Sequence, residues 1–117
     1  MEQNDLSDRL FIFAVRCIKF LRELPGDAEY KVIRYQLIKS STSTGANYKE
    51  AQAATSKADF HNKVKISLRE ILESSYWLKI LESMIDFNYN KDELFWLKDE
   101  SNQLNKILGS IANKTKK

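Results

Sequence analysis

The sequence has one cysteine, one proline and three glycines among its 117 residues, and each scarcity excludes a class of protein. The single cysteine, Cys17, cannot form an internal disulfide, which excludes a disulfide-stabilised secreted scaffold. So few prolines and glycines exclude a collagen, a disordered chain and a β-protein rich in tight turns. Apolar residues are plentiful at 43%, and charged residues make up 30%. This composition, at a length that fits one domain, predicts a helical domain with a packed core.

Targeting and membrane-spanning segments are also lacking. The first residues are acidic, and the apolar stretch of a signal peptide does not follow them. The longest early apolar run covers residues 10–15, whereas a membrane span needs about 20 apolar residues. We therefore expect a cytoplasmic protein that does not enter a membrane.

Turn and cap signals divide the chain into four helical segments. Pro25 and Gly26 stop the first segment, and Asp27 is a good N-cap for the second. Asn90, with Glu93 three residues on, resembles a capping box at the start of the fourth. The predicted helices cover about residues 5–24, 27–55, 59–87 and 90–112, with a turn at 88–90 and a fraying basic tail at 113–117. Short connections predict a single all-α domain over 1–117, an antiparallel up-down-up-down four-helix bundle.

Apolar periodicity supports helices, and no sustained alternation of period two occurs. The fourth segment shows steps of three and four along one seam: Leu94, Leu97, Ser101, Leu104, Leu108 and Ile111. The least helical stretch is 40–45, which is rich in serine and threonine. A helix is the preferred reading because the apolar period continues in phase on both sides, and a loop is the alternative. In the helical reading, four small residues meet where the second and third helices approach: Ser40, Ser41, Ser74 and Ser75.

The first and third segments carry more apolar surface than a monomeric bundle needs. On a helical wheel the apolar arc of the first segment spans about 220°, whereas a stripe of about 100° is sufficient to face a core. A second apolar stripe on a soluble protein is typical of a contact surface. The predicted interface between copies contains six side chains: Phe11, Phe13, Phe20, Ile66, Trp77 and Met84. The alternative is a broad core in which the first helix is buried centrally.

Catalytic and metal-binding patterns are missing. His61 is the only histidine, whereas a ferritin-like di-metal bundle requires a Glu-x-x-His pair from each of two helices. We expect His61 to be a surface residue and Cys17 to be a buried small hydrophobe. No phosphate-binding glycine loop or nucleophile elbow is present. The sequence therefore predicts a protein that is not an enzyme, with no metal and no cofactor.

Polar residues near the contact of the second and third helices have two readings. They form either a buried network that fixes the helix register or a solvated face. The residues in question are Asn47, Glu50, Glu70, Glu73 and Tyr76.

Basic residues on the first three helices are candidates for contacts with nucleic-acid phosphates. The net charge is only +3 and the pI about 8.9, so ordinary solvated charges are the alternative. Repetition of a modest basic patch around an oligomer would build a larger field. The candidates are Arg9, Arg16, Lys19, Lys31, Arg34, Lys49, Lys57, Lys63, Lys65 and Arg69.

The stretch over residues 36–81 resembles a known bacterial family, the four-helix-bundle proteins encoded in intervening sequences of 23S ribosomal RNA genes. The matching residues are Ser41, Thr42, Ser43, Thr44, Gly45, Ala46, Asn47, Glu50, Ala51, Gln52, Ser56, Lys57, Asp59, Phe60, Lys63, Ile66, Leu68, Glu70, Glu73, Tyr76, Trp77 and Leu78. Family members often have proline where this chain has Gly45, which affects the expected helix bend there.

This resemblance implies an antiparallel bundle assembled as a homopentamer. A related branch, the accessory variability determinant proteins of diversity-generating retroelements, binds nucleic acid and partners a reverse transcriptase. We therefore expect a non-enzymatic, oligomeric bundle that binds RNA or another nucleic acid through phosphates. The alternative is a protein–protein adaptor with no nucleic-acid role.

Overall fold

Four α-helices account for most of the chain in a computed structural model, which describes residues 3–84 and 90–116. In chain order they are α1 (Gln3–Leu21), α2 (Ala28–Gln52), α3 (Lys57–Met84) and α4 (Lys91–Thr115). Each helix packs against its neighbours in sequence, and α1 also packs against α4, which closes a four-membered ring. The described residues contain no strand and form a rod 47 Å long. The predicted antiparallel four-helix bundle is therefore confirmed.

Helix α1 ends three residues earlier than predicted because of the proline that follows it. The amides of Glu23 and Leu24 bond to carbonyls only three residues back, a tight final turn. The residue before a proline is disfavoured in the helical backbone conformation. Leu24, which precedes Pro25, therefore does not continue the helix. Leu24 is nevertheless buried and closes one end of the core.

Helix α2 ends at Gln52, three residues before the predicted end at 55, and Asp27 precedes it without a side-chain cap hydrogen bond. Helix caps explain the starts of α3 and α4. The amide of Asp59 donates to the Ser56 hydroxyl at 3.0 Å, so α3 begins at Lys57, two residues before the predicted start. The amide of Glu93 donates to Asn90 Oδ1 at 3.1 Å, which confirms the predicted cap of α4. Helix α4 continues to Thr115, so the predicted fraying from 113 is wrong up to that residue. The predicted end of the third helix at 87 lies outside the described residues.

The serine- and threonine-rich stretch is helical, and its hydroxyls explain how a helix tolerates it. Thr44 Oγ1 donates to the Ser40 carbonyl at 2.9 Å, one turn back. Ser40 and Ser74 share a hydrogen bond of 2.8 Å between α2 and α3, and Ser67 donates to the Thr44 carbonyl at 2.7 Å. The loop alternative is therefore wrong. Within the described residues, every buried side-chain oxygen and nitrogen has a hydrogen-bond partner.

The serines predicted to meet divide between three helix contacts. Ser40 and Ser74 join α2 to α3 as expected. Ser75 instead donates to the Ser101 hydroxyl of α4 at 2.9 Å, and Ser41 is fully buried beside Cys17 of α1. Small hydroxyl side chains therefore line the centre of the bundle.

The core corrects part of the predicted interface. Phe13 is fully buried and Phe20 almost so, which removes both from any surface between copies. They belong to the hydrophobic core because α1 is flanked by α2 and α4, which together cover a wide arc of it. For these two side chains the broad-core alternative is correct.

Candidate groove for self-association and candidate basic surface

Arg9 and Arg16 are predicted to contact phosphates. In the structure both instead form ion pairs that join α1 to α4. The Arg9 guanidinium donates to both carboxylate oxygens of Glu100, at 2.9 and 2.7 Å. Arg16 binds Glu93 in the same bidentate way, at 2.9 and 2.6 Å, and its guanidinium carbon lies 3.4 Å from the centre of the Trp96 ring. These pairs raise the pKa of both arginines. The fork of each arginine is occupied inside the chain, so these contacts do not favour the predicted phosphate binding by Arg9 and Arg16.

Two further candidate cations are also engaged. Arg34 donates from Nη1 to the Leu21 carbonyl at 2.8 Å and from Nη2 to the Pro25 carbonyl at 3.1 Å. It therefore caps the C-terminus of α1, where the last carbonyls lack helical partners. Lys63 forms an ion pair with Glu50 at 2.9 Å between α3 and α2. Neither position offers an unoccupied cation to a phosphate.

Six of the predicted cations are exposed: Lys19, Lys31, Lys49, Lys57, Lys65 and Arg69. In the described chain, none of them lies within ion-pair distance of a carboxylate. One group places two neighbouring cations on the same helix face as an exposed aromatic ring.

That group forms one outward stripe of α3, which we call the α3 stripe: Lys65, Arg69, Leu72 and Tyr76. The spacing of four, three and four residues places these side chains on the same helix face. All four are exposed, and Leu72 and Tyr76 are among the large apolar side chains left in water. Cations and an exposed aromatic ring along one helix face suit a strand of nucleic acid, since the cations can contact its phosphates and the ring its bases.

The predicted polar network does not form. Asn47 donates to the Ser43 carbonyl within α2, and Glu50 pairs with Lys63. Glu73 accepts from Trp77 Nε1 at 3.1 Å within α3. The structure therefore does not connect these residues into one cluster, because each takes its partner from its own helix or from a lysine.

The two remaining members of the predicted network also stand apart. The Tyr76 ring is exposed and packs edge-on against Trp77, with 5.5 Å between ring centroids. Glu70 is half-buried, and its loss of hydration, with the nearby charge of Glu73, raises the pKa of the Glu70 carboxyl.

An apolar groove runs between α1 and α2, and we call it the α1–α2 groove. Its α1 wall contains Phe11, Ala14, Val15 and Ile18, and its α2 wall contains Thr42, Gly45, Ala46 and Lys49. The groove has a volume of about 340 Å³. Phe11 is 68% exposed at its edge, although its ring is among the most apolar groups in the chain.

Gly45 lies in this groove where α1 and α2 approach each other. A Cβ added to Gly45 would lie 3.5 Å from the Leu10 Cβ, so α1 and α2 approach closely and the α2 wall stays low. The small residues of 40–45 are predicted to pack against α3, but Gly45 faces Leu10 of α1. Three other predicted interface residues, Ile66, Trp77 and Met84, are half-buried on α3. Trp77 and Met84 pack against the core of the same chain, so the broad-core alternative also accounts for these two side chains.

Neither Cys17 nor His61 has the surroundings of a catalytic group. Cys17 is fully buried, and loss of hydration raises the pKa of its thiol, so the reactive thiolate is disfavoured. This confirms its predicted place in the core. His61 is half-buried, and its Nδ1 lies 2.7 Å from the Thr115 hydroxyl at the end of α4. The part of the chain that the structure describes holds no group of three potential metal ligands.

The sequence contains a signal for the partners of the two arginines that the prediction of phosphate contacts did not include. Arg9 and Arg16 are seven residues apart, as are Glu93 and Glu100. Two antiparallel helices with matching charges at equal spacing can form both pairs in one register. Lys114 and Lys116, at the end of α4, belong to the predicted fraying tail and were not among the candidate cations.

The architecture defines the class of the molecule: an antiparallel four-helix bundle held by two bidentate ion pairs between its first and last helices. Among the described helices, none is long and apolar enough to cross a bilayer. The chain belongs to the family of 23S rRNA-intervening sequence proteins, whose family model matches residues 2–110. The resemblance seen over residues 36–81 is thereby confirmed.

A solved structure supports the same assignment. A protein with unknown function from the S23 ribosomal protein family of Bacteroides thetaiotaomicron VPI-5482 is 34% identical to this chain, with a TM-score of 0.80. The similarity covers 92% of this chain and 97% of that one. No curated protein matches the chain.

Proposed function

We propose that this protein is a non-enzymatic bundle that self-associates through the α1–α2 groove and binds RNA phosphates through the α3 stripe. The observation that carries the first part is the 68% exposure of Phe11 at the edge of an apolar groove. The second part is supported by Lys65 and Arg69, which are exposed on the same face of α3 as Tyr76.

A second copy of the chain is the occupant that fits the α1–α2 groove best. Small residues on the α2 wall leave room for side chains of a neighbouring molecule. Full burial of a phenylalanine side chain is worth about 1.5–3 kcal/mol, so covering Phe11 in each subunit favours assembly. The family resemblance, which implies a homopentamer, supports the same occupant.

The mass of the protein in solution, measured by light scattering, tests self-association. We expect the wild-type chain to have a multiple of the 13.7 kDa subunit mass. Phe11→Ser should shift the mass toward one subunit without loss of helicity. Phe95→Ser is a matched control, since Phe95 is 73% exposed but shares its cleft with Glu82, Lys91 and Asp92. An unchanged mass for Phe11→Ser would refute the assigned groove.

Assembly also raises the affinity that we expect for nucleic acid. One α3 stripe offers only two neighbouring cations, and such a patch binds a phosphate backbone weakly. A ring of copies repeats the stripe and multiplies the number of phosphates that one RNA can reach. Contacts of this kind position an RNA backbone without reading its sequence. We propose that this binding takes place in the cytoplasm.

Binding of a labelled structured RNA at two salt concentrations tests this role. We expect binding near 50 mM salt that falls steeply at 200 mM, because phosphate contacts release counterions. The double variant Lys65→Gln/Arg69→Gln should bind more weakly at low salt. Arg22→Gln/Lys106→Gln is the control. Both residues are exposed and lie outside the α3 stripe, and their substitution removes the same amount of positive charge. Equal loss in both double variants would contradict a localised site.

The adaptor role stays as a second candidate because α2 also exposes apolar residues. Val32 is 56% and Tyr35 65% exposed on the outward face of α2. A protein partner, such as the reverse transcriptase that the resemblance implies, could cover them. An intact oligomer that shows no affinity for RNA at 50 mM salt would favour the adaptor and contradict the nucleic-acid role.

A further inference from the structure

A cleft at one end of the bundle brings three lysines together. The turn between α2 and α3 meets the C-terminal end of α4 there, and the cleft between them is open to solvent with a volume of about 640 Å³. Lys57 lines the cleft from the first turn of α3, and Lys114 and Lys116 line it from the end of α4. This volume falls within the range of about 300–1,000 Å³ that is typical of small-molecule sites.

The charges around this cleft are unbalanced. Within residues 3–84 and 90–116, none of the three ammonium groups lies within ion-pair distance of a carboxylate. Lys57 also stands in the first turn of α3, where the helix dipole disfavours a cation. Three like charges at one opening repel one another, and a bound anion would relieve that repulsion.

Bonds between the helices hold the two sides of the cleft in place. His61 Nδ1 and the Thr115 hydroxyl are 2.7 Å apart, which ties α3 to the last turn of α4. The Thr115 hydroxyl also donates to the Ile111 carbonyl at 2.9 Å. This anchoring keeps Lys114 and Lys116 opposite Lys57, so less ordering is needed when an anion binds.

The rest of the lining is suited to more than an inorganic ion. The half-buried Phe60 and the neighbouring Ala54 give the cleft an apolar side, while Thr55, Ser56 and Thr115 carry hydroxyls. A ligand with a phosphate at one end and a flat apolar ring at the other would meet both kinds of surface. We propose that this cleft binds a phosphate monoester of nucleotide size. The site is separate from the α1–α2 groove and from the α3 stripe, and it does not depend on either.

Amide chemical shifts measured during titration test this site directly. The probes are adenosine 5′-monophosphate, inorganic phosphate and adenosine, added at constant ionic strength. We expect saturable shifts centred on Ser56, Lys57 and Thr115 with the monophosphate, weaker binding of inorganic phosphate and no saturable binding of adenosine. Equal binding of adenosine and its monophosphate, or shifts centred on Lys65, would overturn the proposal.

A pair of charge-neutralising variants completes the test. Lys57→Gln/Lys114→Gln should weaken binding of the monophosphate by about tenfold or more, since it removes two charge-assisted contacts. Lys79→Gln/Lys106→Gln removes two exposed lysines outside the cleft and should change the affinity by less than about twofold. Both variants should keep the wild-type amide spectrum away from the substitutions. Equal affinities for the two variants would overturn the site.

A short RNA identifies the source of the phosphate. The same oligonucleotide is compared with a 5′-phosphate and with a 5′-hydroxyl. Preference for the phosphorylated end, lost in Lys57→Gln/Lys114→Gln, assigns the cleft to RNA termini. Binding of the free monophosphate with no preference between the two RNA ends assigns it to free nucleotides.

Discussion

The ion pair between Arg9 and Glu100 gives the sharpest test of how α1 is held to α4. Glu100 is only 8% exposed, whereas the Arg9 side chain keeps 30% of its surface in water. Removing one partner of a fully buried ion pair costs about 3–5 kcal/mol, because the other charge stays buried without a counterion. Water reaches part of the Arg9 side chain, so the loss of stability should be smaller than for a fully buried pair. We expect Arg9→Met to lower the free energy of unfolding by about 2–3 kcal/mol.

The double variant tests whether the loss in free energy of unfolding comes from the Glu100 carboxylate, which Arg9→Met leaves buried without a counterion. In Arg9→Met/Glu100→Leu no charge is left buried, and the free energy of unfolding should recover to within about 1 kcal/mol of wild type. Denaturant unfolding, followed by helical circular dichroism at one fixed protein concentration, measures all four members of the cycle. Lys63→Met, which breaks an exposed pair with Glu50, is the control and should have little effect. Additive losses in the double variant would refute the reasoning.

Three further predictions concern single side chains. Glu70→Gln should stabilise the protein at neutral pH, because the raised pKa of Glu70 means that folding disfavours its charged form. The gain in stability should vanish in acid, where the wild-type carboxyl is protonated in both the folded and the unfolded state. A series of unfolding curves at different pH values measures this gain. Gly45→Ala should raise the free energy of unfolding by about 0.5–1 kcal/mol, since the new methyl group meets Leu10 at an ordinary distance and alanine favours the helix; a lower melting temperature would contradict this. Ser67→Ala should cost about 1 kcal/mol in chemical denaturation because it removes the 2.7 Å bond to the Thr44 carbonyl, and an unchanged midpoint would contradict it.

Much of the bundle could be predicted because its determinants are local. Pro25 ends the first helix, and the Asn90 cap starts the last one, whatever the rest of the chain does. The contact of Ser40 with Ser74 followed from the antiparallel register of two helices joined by a short turn. These features depend on spacing and on the chemistry of single residues, which a sequence displays directly.

The candidate surfaces could be predicted only in part, because they depend on tertiary neighbours. A helical wheel ranks Phe11 and Phe13 alike as apolar, but the packing of α2 and α4 around α1 buries Phe13 and leaves Phe11 in water. The same limit applies to charge. Arg9 and Lys65 are both basic residues on a polar helix face, and only the position of Glu100 on α4 separates a structural ion pair from an exposed cation.

Self-association as proposed requires that a second copy of the chain covers the apolar groove between α1 and α2. Sedimentation equilibrium of the unmodified protein, from about 1 to 100 µM, tests it most directly. We predict a mass that is an integer multiple of 13.7 kDa over the upper part of this range, with dissociation only on dilution. A mass of one subunit throughout, with the helices intact, would contradict the claim.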